Sequence, residues 1–398
     1  MSGATSKTYQ VRSDGIFCGL PVLDTSLKGL RAVVVGASGQ SGQPVVDVLS
    51  ANSNRCEKVY ALSRRPPATD AKSVEHVPVD SLWEPEKVAS ILRKHKIQVD
   101  HVFYFGYVQV ARPDIELEVF GNPDHLVEIN GRLFENFLLA MDQANVQPKR
   151  IVLQTGGKSY GVHQGPVNVP LTEGAARVEL EPNFYYTQED LLAKYITTHP
   201  GASYNVTMPQ WILAAGAGTD MTSSIRWHHP ISTGFILGTF YEWLVVTEGT
   251  AGESFNITDG SQFTFGKLWP ILASWFGLEG MPPRENGSYH EVELPFVPRR
   301  YGPKGKLRST FTFIEWAKEP ATRQAWVELK EEHQLNTDPL QNPEKTFAFL
   351  QFALELTWSW QTSMSKARKF GWHGYVDSIE SIHSVFQKFT DMKMIPPF

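Results

Sequence analysis

The stretch "RAVVVGASGQSGQPVVDVL", residues 31–49, decides the fold. Ala32–Val35 is a short apolar β-branched run, which reads as a buried strand. Gly36, Gly39 and Gly42 follow in a G-x-x-G-x-x-G spacing, with Ser38 and Gln40 between them. Pro44, Val45, Val46 and Leu49 then suit the first turns and the apolar face of a helix. A strand running through glycines into a helix N-terminus is built to bind a pyrophosphate. The backbone must turn sharply and approach the phosphates with no Cβ intervening, and the helix end offers N–H groups and a positive dipole.

Outward from this stretch the alternation continues. "KVYALSRRPP" and "VEHVPVD" read as the second and third strands, and "EPEKVASILRKHK" as a helix. A strand "DHVFYFGYV", a helix "HLVEINGRLFENFLLAMDQA" and a strand "RIVLQTGGK" come next, then a helix over 186–197 and a strand "SYNVTMP". Strands alternating with helices and filled with Val, Ile and Phe predict a parallel sheet covered on both faces. The fold class is therefore α/β, a Rossmann-type doubly wound parallel sheet. After about residue 215 aromatic-rich helical stretches take over, among them "ISTGFILGTFYEWLVV", "FGKLWPILASWFG" and "EKTFAFLQFALELTWSWQTSM". The expected division is an N-terminal extension over 1–28, a dinucleotide-binding domain over 29–215 and a mainly helical substrate lobe over 216–398. The lobe should roof the C-terminal edge of the sheet, where ligands of open α/β folds bind.

The 398 residues carry a formal net charge of -5, which gives no electrostatic reason to expect nucleic acid or an anionic membrane. No apolar run has the length of a membrane span, and the polar "MSGATSKTYQ" start lacks an apolar secretion segment. Cys18 and Cys56 alone provide neither a disulfide framework nor a structural zinc site, so no metal is expected. A cytoplasmic location is expected, and a homodimer is compatible with these features.

The second strand ends in Ser63, Arg64 and Arg65 instead of an acidic residue. A hydroxyl and two cations suit the 2′-phosphate of NADP, where an acid would accept the ribose hydroxyls of NAD. Asp80, closing the third strand, could accept from the adenine amino group or serve a turn.

A reductase of this kind needs a proton donor beside the nicotinamide, usually a Tyr four residues before a Lys. None of the 13 tyrosines has Lys at that offset; Asp190 follows Tyr186 and Glu189 follows Tyr185. Lys158 in "QTGGKSY" instead ends a strand at the edge where nicotinamide would sit. A tyrosine hydroxyl has a pKa of about 10, so a nearby cation helps it to act at neutral pH.

The strings "NFYYTQEDLL", "VLQTGGKSYG", "FNITDGSQFTFGKLWPILASWFGLE" and "SMSKARKFGWHGYVDSIESI" together resemble the progesterone 5β-reductase/iridoid synthase family, an atypical branch of the short-chain dehydrogenases. The resemblance runs from about Gly29 to the C-terminus. It implies the extended short-chain dehydrogenase architecture, NADPH as cofactor and 1,4-reduction of an alkene conjugated to a carbonyl on an apolar small molecule. It also implies Lys158 and Tyr186 as the catalytic pair, with Tyr185 the lesser choice. Gln154, Thr155, Lys158, Pro209 and Ile212 join the glycines and Ser63–Arg65 around the cofactor, and Tyr107, Tyr160, Val167, Tyr185 and Trp211 line the substrate pocket.

This chain departs from the family where it has "KSYGVHQGPVNVP". Ser159 stands in the place of a histidine, about three residues are added, and Val167 takes the place of a pocket Phe. "MPQWILAAGAG" brings Trp211 to the nicotinamide edge. His228 and His229 read as surface histidines ahead of pocket ones. A carbonyl reductase with the same cofactor, and a non-redox cyclase or cofactor-binding scaffold, are the competing readings.

Overall fold

The computed structural model describes residues 8–79, 84–108, 122–213, 229–280, 289–293, 306–309, 311–355 and 358–398. Its centre is a seven-stranded parallel sheet. The strands are β1 (Leu30–Val35), β2 (Cys56–Ser63), β3 (Val74–Pro78), β4 (His101–Tyr104), β5 (Arg150–Gln154), β6 (Ser203–Pro209) and β7 (Ser254–Ile257). They lie in the order β3-β2-β1-β4-β5-β6-β7. The chain builds outward from β1 to β3, then returns to the other side of β1 to lay down β4. The crevice between β1 and β4 is thus the topological switch point, where such folds bind ligands.

The central strands serve two cores. Val33 and Val35 face one side, with Leu92 of α2 (Pro85–Lys94), Phe134 and Phe137 of α3 (Pro123–Gln143), and Leu192 and Tyr195 of α4 (Phe184–Thr198). Ala32 and Val34 face the other, with Val45, Val46 and Leu49 of α1 (Gly42–Ala51) and Ile236, Leu237 and Phe240 of α5 (Gly234–Val246). The period-two alternation of the pleat sends successive side chains to opposite faces, so continuous apolar strands fill both. Helix α5 is buried almost all round. Its one acid, Glu242, is raised in pKa by burial and answered by an ion pair with Arg55. Buried Arg150 at the start of β5 donates to the carbonyl oxygen of Leu244 at 2.7 Å, satisfying the C-terminal end of α5.

Helix α5 and strand β7 come from beyond residue 215 and complete one face and the last strand of the sheet. The aromatic stretch read as helical through 364 needs correction: it is helical over Pro343–Glu355, and the described residues 358–364 are not helical. Trp358 and Trp360 lie beyond that helix and are buried against the sheet's C-terminal edge with Tyr160, Val162, Met208 and Trp211.

Residues 11–21 form an antiparallel hairpin, Val11–Asp14 with Phe17–Pro21. It docks on the far end of the chain: Cys18 and Tyr375 exchange N–H···O bonds of 2.9 Å each way, and Leu20 is fully buried. Among the described residues no helix is long and apolar enough to cross a membrane.

Candidate functional site

The glycine turn lies at the switch point. Gly36 has φ +81°, and a Cβ on it would sit 3.1 Å from the carbonyl oxygen of Phe105 after β4. A Cβ on Gly42 would fall 2.2 Å from the carbonyl oxygen of Gly36, so only glycine lets α1 start this close to β1. The N-cap residue of α1, Ser41, makes no side-chain hydrogen bond to the helix, and the first turn carries no acid. Its hydroxyl instead accepts from Gln154 Nε2 at 2.9 Å. An uncapped helix N-terminus with a positive dipole end behind a tight glycine turn fits a pyrophosphate. Gly39, with Ser38 and Gln40 beside it, completes the turn, its N–H bonded to Gly36 O at 3.0 Å.

At the end of β2 the Ser63 hydroxyl donates to the carbonyl oxygen of Arg65 at 2.6 Å, closing a tight turn that leaves Arg64 and Arg65 exposed. Neither arginine forms an ion pair among the described residues. Asp80 lies outside the described residues, as does His228, while His229 is described in its backbone alone, pairing with Phe263.

Gln154 and Thr155 are spent on the scaffold. The Gln154 amide accepts from Tyr241 at 2.8 Å and donates to Ser41, and the Thr155 hydroxyl donates to Thr207 O at 3.1 Å. These bonds hold the β5 end to the glycine turn, to α5 and to β6. The Tyr160 hydroxyl likewise donates to Asn256 Oδ1 of β7 at 2.7 Å, which leaves only its ring to face a pocket.

Lys158 sits on a single turn of 3-10 helix, Gly157–Tyr160, just past β5. Its side chain is 4% exposed and its Nζ lies 5.8 Å over the Phe184 ring and 3.9 Å from Glu181 Oε1. Burial lowers its pKa and the Glu181 charge raises it, with a net downward shift. Its carbonyl oxygen accepts from Asn183 Nδ2 at 3.0 Å, while the Asn183 Oδ1 caps α4 through Tyr185 N. One asparagine thereby fixes the lysine segment to the tyrosine helix.

The two tyrosines of α4 point differently. Tyr186 donates from its hydroxyl to Ser159 O at 2.7 Å and accepts from Val178 N at 2.8 Å. Arg177 covers its ring at 4.9 Å and pairs with Asp190. Tyr185 reaches over the end of the sheet. Its hydroxyl lies 3.3 Å from where a Cβ on Gly156 would be, and the carbonyl oxygen of Pro209 is 3.4 Å from the same point. It has no hydrogen-bond partner among the described residues. Burial, with Tyr107 nearby, raises its pKa. Tyr107 stacks on Phe184 at 5.6 Å, and Phe184 packs on Tyr185 at 4.4 Å.

Trp211 follows β6 with a strained φ of +32° and stacks on Trp360 at 5.6 Å. Val167 is half-buried against the same cluster. Ile212 begins a two-residue strand that pairs with Ser232–Thr233. Trp358, Trp360, Glu181 and His163 escaped the sequence reading. The first two fell in a run read as helix, and the other pair gave no spacing signal.

The sequence model of the NAD dependent epimerase/dehydratase family matches residues 32–225. A short-chain dehydrogenase of Penicillium aethiopicum is 26% identical, over 92% of this chain and 99% of its own length. The 3-oxo-Δ(4,5)-steroid 5β-reductase of Arabidopsis thaliana is 25% identical and the (S)-8-oxocitronellyl enol synthase of Nepeta racemosa 24%, each over 92% of this chain and 93% of its own. The crystal structure of the Bordetella bronchiseptica enzyme WbmG in complex with NAD superposes with a TM-score of 0.55 at 13% identity, covering 93% of this chain and 97% of that one. At that identity it speaks for the fold alone. Aligned almost end to end with a steroid 5β-reductase and an enol synthase, the chain is similar to the progesterone 5β-reductase/iridoid synthase family of atypical short-chain dehydrogenases, at low identity.

Proposed function

We propose that this protein is an NADPH-dependent reductase of carbon–carbon double bonds conjugated to a carbonyl, acting on an apolar small molecule. The observation that carries the reading is the Tyr185 hydroxyl at the C-terminal ends of β5 and β6, with buried Lys158 two residues beyond Gly156. The relatives' printed names, a steroid 5β-reductase and an enol synthase, agree with it.

The glycine turn and the N-terminus of α1 would hold the pyrophosphate, and Arg64 and Arg65 the 2′-phosphate. When bound, the nicotinamide supplies a hydride to the β-carbon of the substrate. Negative charge then develops on the substrate's carbonyl oxygen, as an enolate. Tyr185 donates a hydrogen bond to that oxygen, an interaction that strengthens as the charge grows and so favours the transition state over the ground state. Lys158 would hold the nicotinamide ribose and add a positive charge. In this proposal Tyr185 replaces Tyr186, whose hydroxyl is tied to Ser159 and Val178. Trp211, Trp360 and the ring of Tyr160 form an apolar wall for the substrate.

The test follows NADPH consumption with matched conjugated enones or enals and their saturated carbonyl counterparts, with mass analysis of products. Alkene saturation with the carbonyl intact is expected. Alcohols as the only products would replace this reading with a carbonyl reductase.

A further inference from the structure

Beside Lys158 lies a cluster of ionisable groups that the proposed reaction has not used. Glu181 stands in the loop before α4, and its Oε1 is 3.9 Å from Lys158 Nζ. The same oxygen pairs with Nε2 of His163, which is buried in the short 3-10 turn Val162–Gln164 that follows the lysine. Burial pushes the Glu181 carboxyl up, but hydrogen bonds from His163 and Gln164 and the charges of His163 and Lys158 outweigh it and hold it at about 2. Glu181 is therefore an anion throughout the neutral range.

We propose that Glu181 and His163 are positioning residues for Lys158, keeping its ammonium charged and fixed beside the first turn of α4. The proposal rests on the reading of Lys158 as the cation at the nicotinamide ribose. A side chain this deeply buried would otherwise favour the neutral amine, which is useless as a charge. A carboxylate 3.9 Å from the buried Nζ favours the ammonium. His163 in turn holds the carboxylate in place, and does so from the segment in which this chain gains residues. The loop of Glu181 leads directly into Asn183 and Tyr185, so a single carboxylate ties the lysine turn to the tyrosine helix. Besides its tyrosines, α4 carries Glu189, Asp190 and Lys194, and the charges of Glu173 and Glu189 act on Tyr160 of the lysine turn.

The experiment titrates NADPH by fluorescence between pH 7 and pH 10 with the wild-type chain, Glu181→Gln, His163→Gln and Lys158→Met. Thermal stability and the kcat and KM of enone reduction are measured alongside. In the wild type, affinity should fall as the pH rises through the lysine's titration, and Lys158→Met should lack that limb. Glu181→Gln should move the midpoint down by about one pH unit or more, with affinity at pH 8 lowered several-fold. His163→Gln should shift it in the same direction by less, and it carries the test if Glu181→Gln does not fold. A midpoint unmoved in the variants, with only thermal stability lost, would overturn the proposal and make the cluster a packing device. If Lys158→Met bound and turned over NADPH as the wild type does, the catalytic reading of Lys158 would fall, and this inference with it.

Discussion

The Tyr186 hydroxyl donates to the carbonyl oxygen of Ser159 at 2.7 Å, joining the first turn of α4 to the residue after Lys158. Both hydrogen-bonding roles of that hydroxyl are used on backbone, since it also accepts from Val178. Its neighbour Tyr185 has no such tie among the described residues and stands over Gly156. Tyr185→Phe should therefore lower enone turnover about a hundred- to a thousandfold while NADPH affinity stays nearly unchanged. Tyr186→Phe should cost about 1–3 kcal/mol of stability by leaving part-buried backbone groups unpaired, with turnover largely kept. Steady-state kinetics and denaturant melts on both variants check this; the reverse pattern would return the catalytic role to Tyr186.

The exposed arginines after β2 should decide between the two nicotinamide cofactors. Replacing Arg64 and Arg65 together by Gln should weaken NADPH about ten- to a hundredfold, as charge-assisted bonds to a phosphate are lost, and leave NADH binding nearly unchanged. Calorimetric titration of both cofactors measures the ratio. Equal losses would assign these residues to general attraction instead of recognition.

Asp259 is fully buried, and its Oδ1 accepts from Thr233 N and Thr233 Oγ1 at 2.7 and 3.0 Å. Burial outweighs these bonds and raises its pKa to about 8. A group raised on folding contributes stability that is full below its unfolded pKa and is lost as pH rises through the folded one. The wild type should therefore lose up to about 1.4 kcal/mol per pH unit between the ordinary carboxylate range and about 8 from this residue. Asp259→Asn should remove that slope. Urea melts at pH 6 and pH 8 compare the two, and identical slopes would contradict the assignment.

Trp211 and Trp360, far apart in the sequence, stack on each other. Trp360 is 2% exposed, so Trp360→Ala should cost about 3–5 kcal/mol. Trp211 is only half-buried, and Trp211→Ala should cost less while raising kcat/KM for bulkier enones relative to small ones. An unchanged ratio between large and small substrates would place Trp211 outside the pocket.

How much of this was legible in the sequence depends on the range of the interactions. The glycine turn, the strand–helix alternation and the arginines of β2 are local, and each reads from a few adjacent residues. The choice between Tyr185 and Tyr186 is not local. Adjacent helical residues differ by about 100° in direction, and the bond that turns Tyr186 away is made to Ser159, across a loop. Trp360 was hidden for a similar reason. Its stretch is apolar enough to pass for helix, and only burial against Trp211 and Met208 shows that the chain has left the helix by then. Glu181 and His163 carry no spacing signature, because their meeting depends on two turns folding onto one lysine.

The hairpin near the start of the chain has a consequence for how the protein is made. Cys18 leaves the ribosome long before Tyr375, the residue whose backbone it grips. At about 5–20 residues per second, the hairpin waits on the order of tens of seconds with its outer edge unpaired. The clasp closes only once Tyr375 has been made: a transcript truncated before it would yield a hairpin with nothing to close upon, and an exposed strand edge that invites association with other nascent chains.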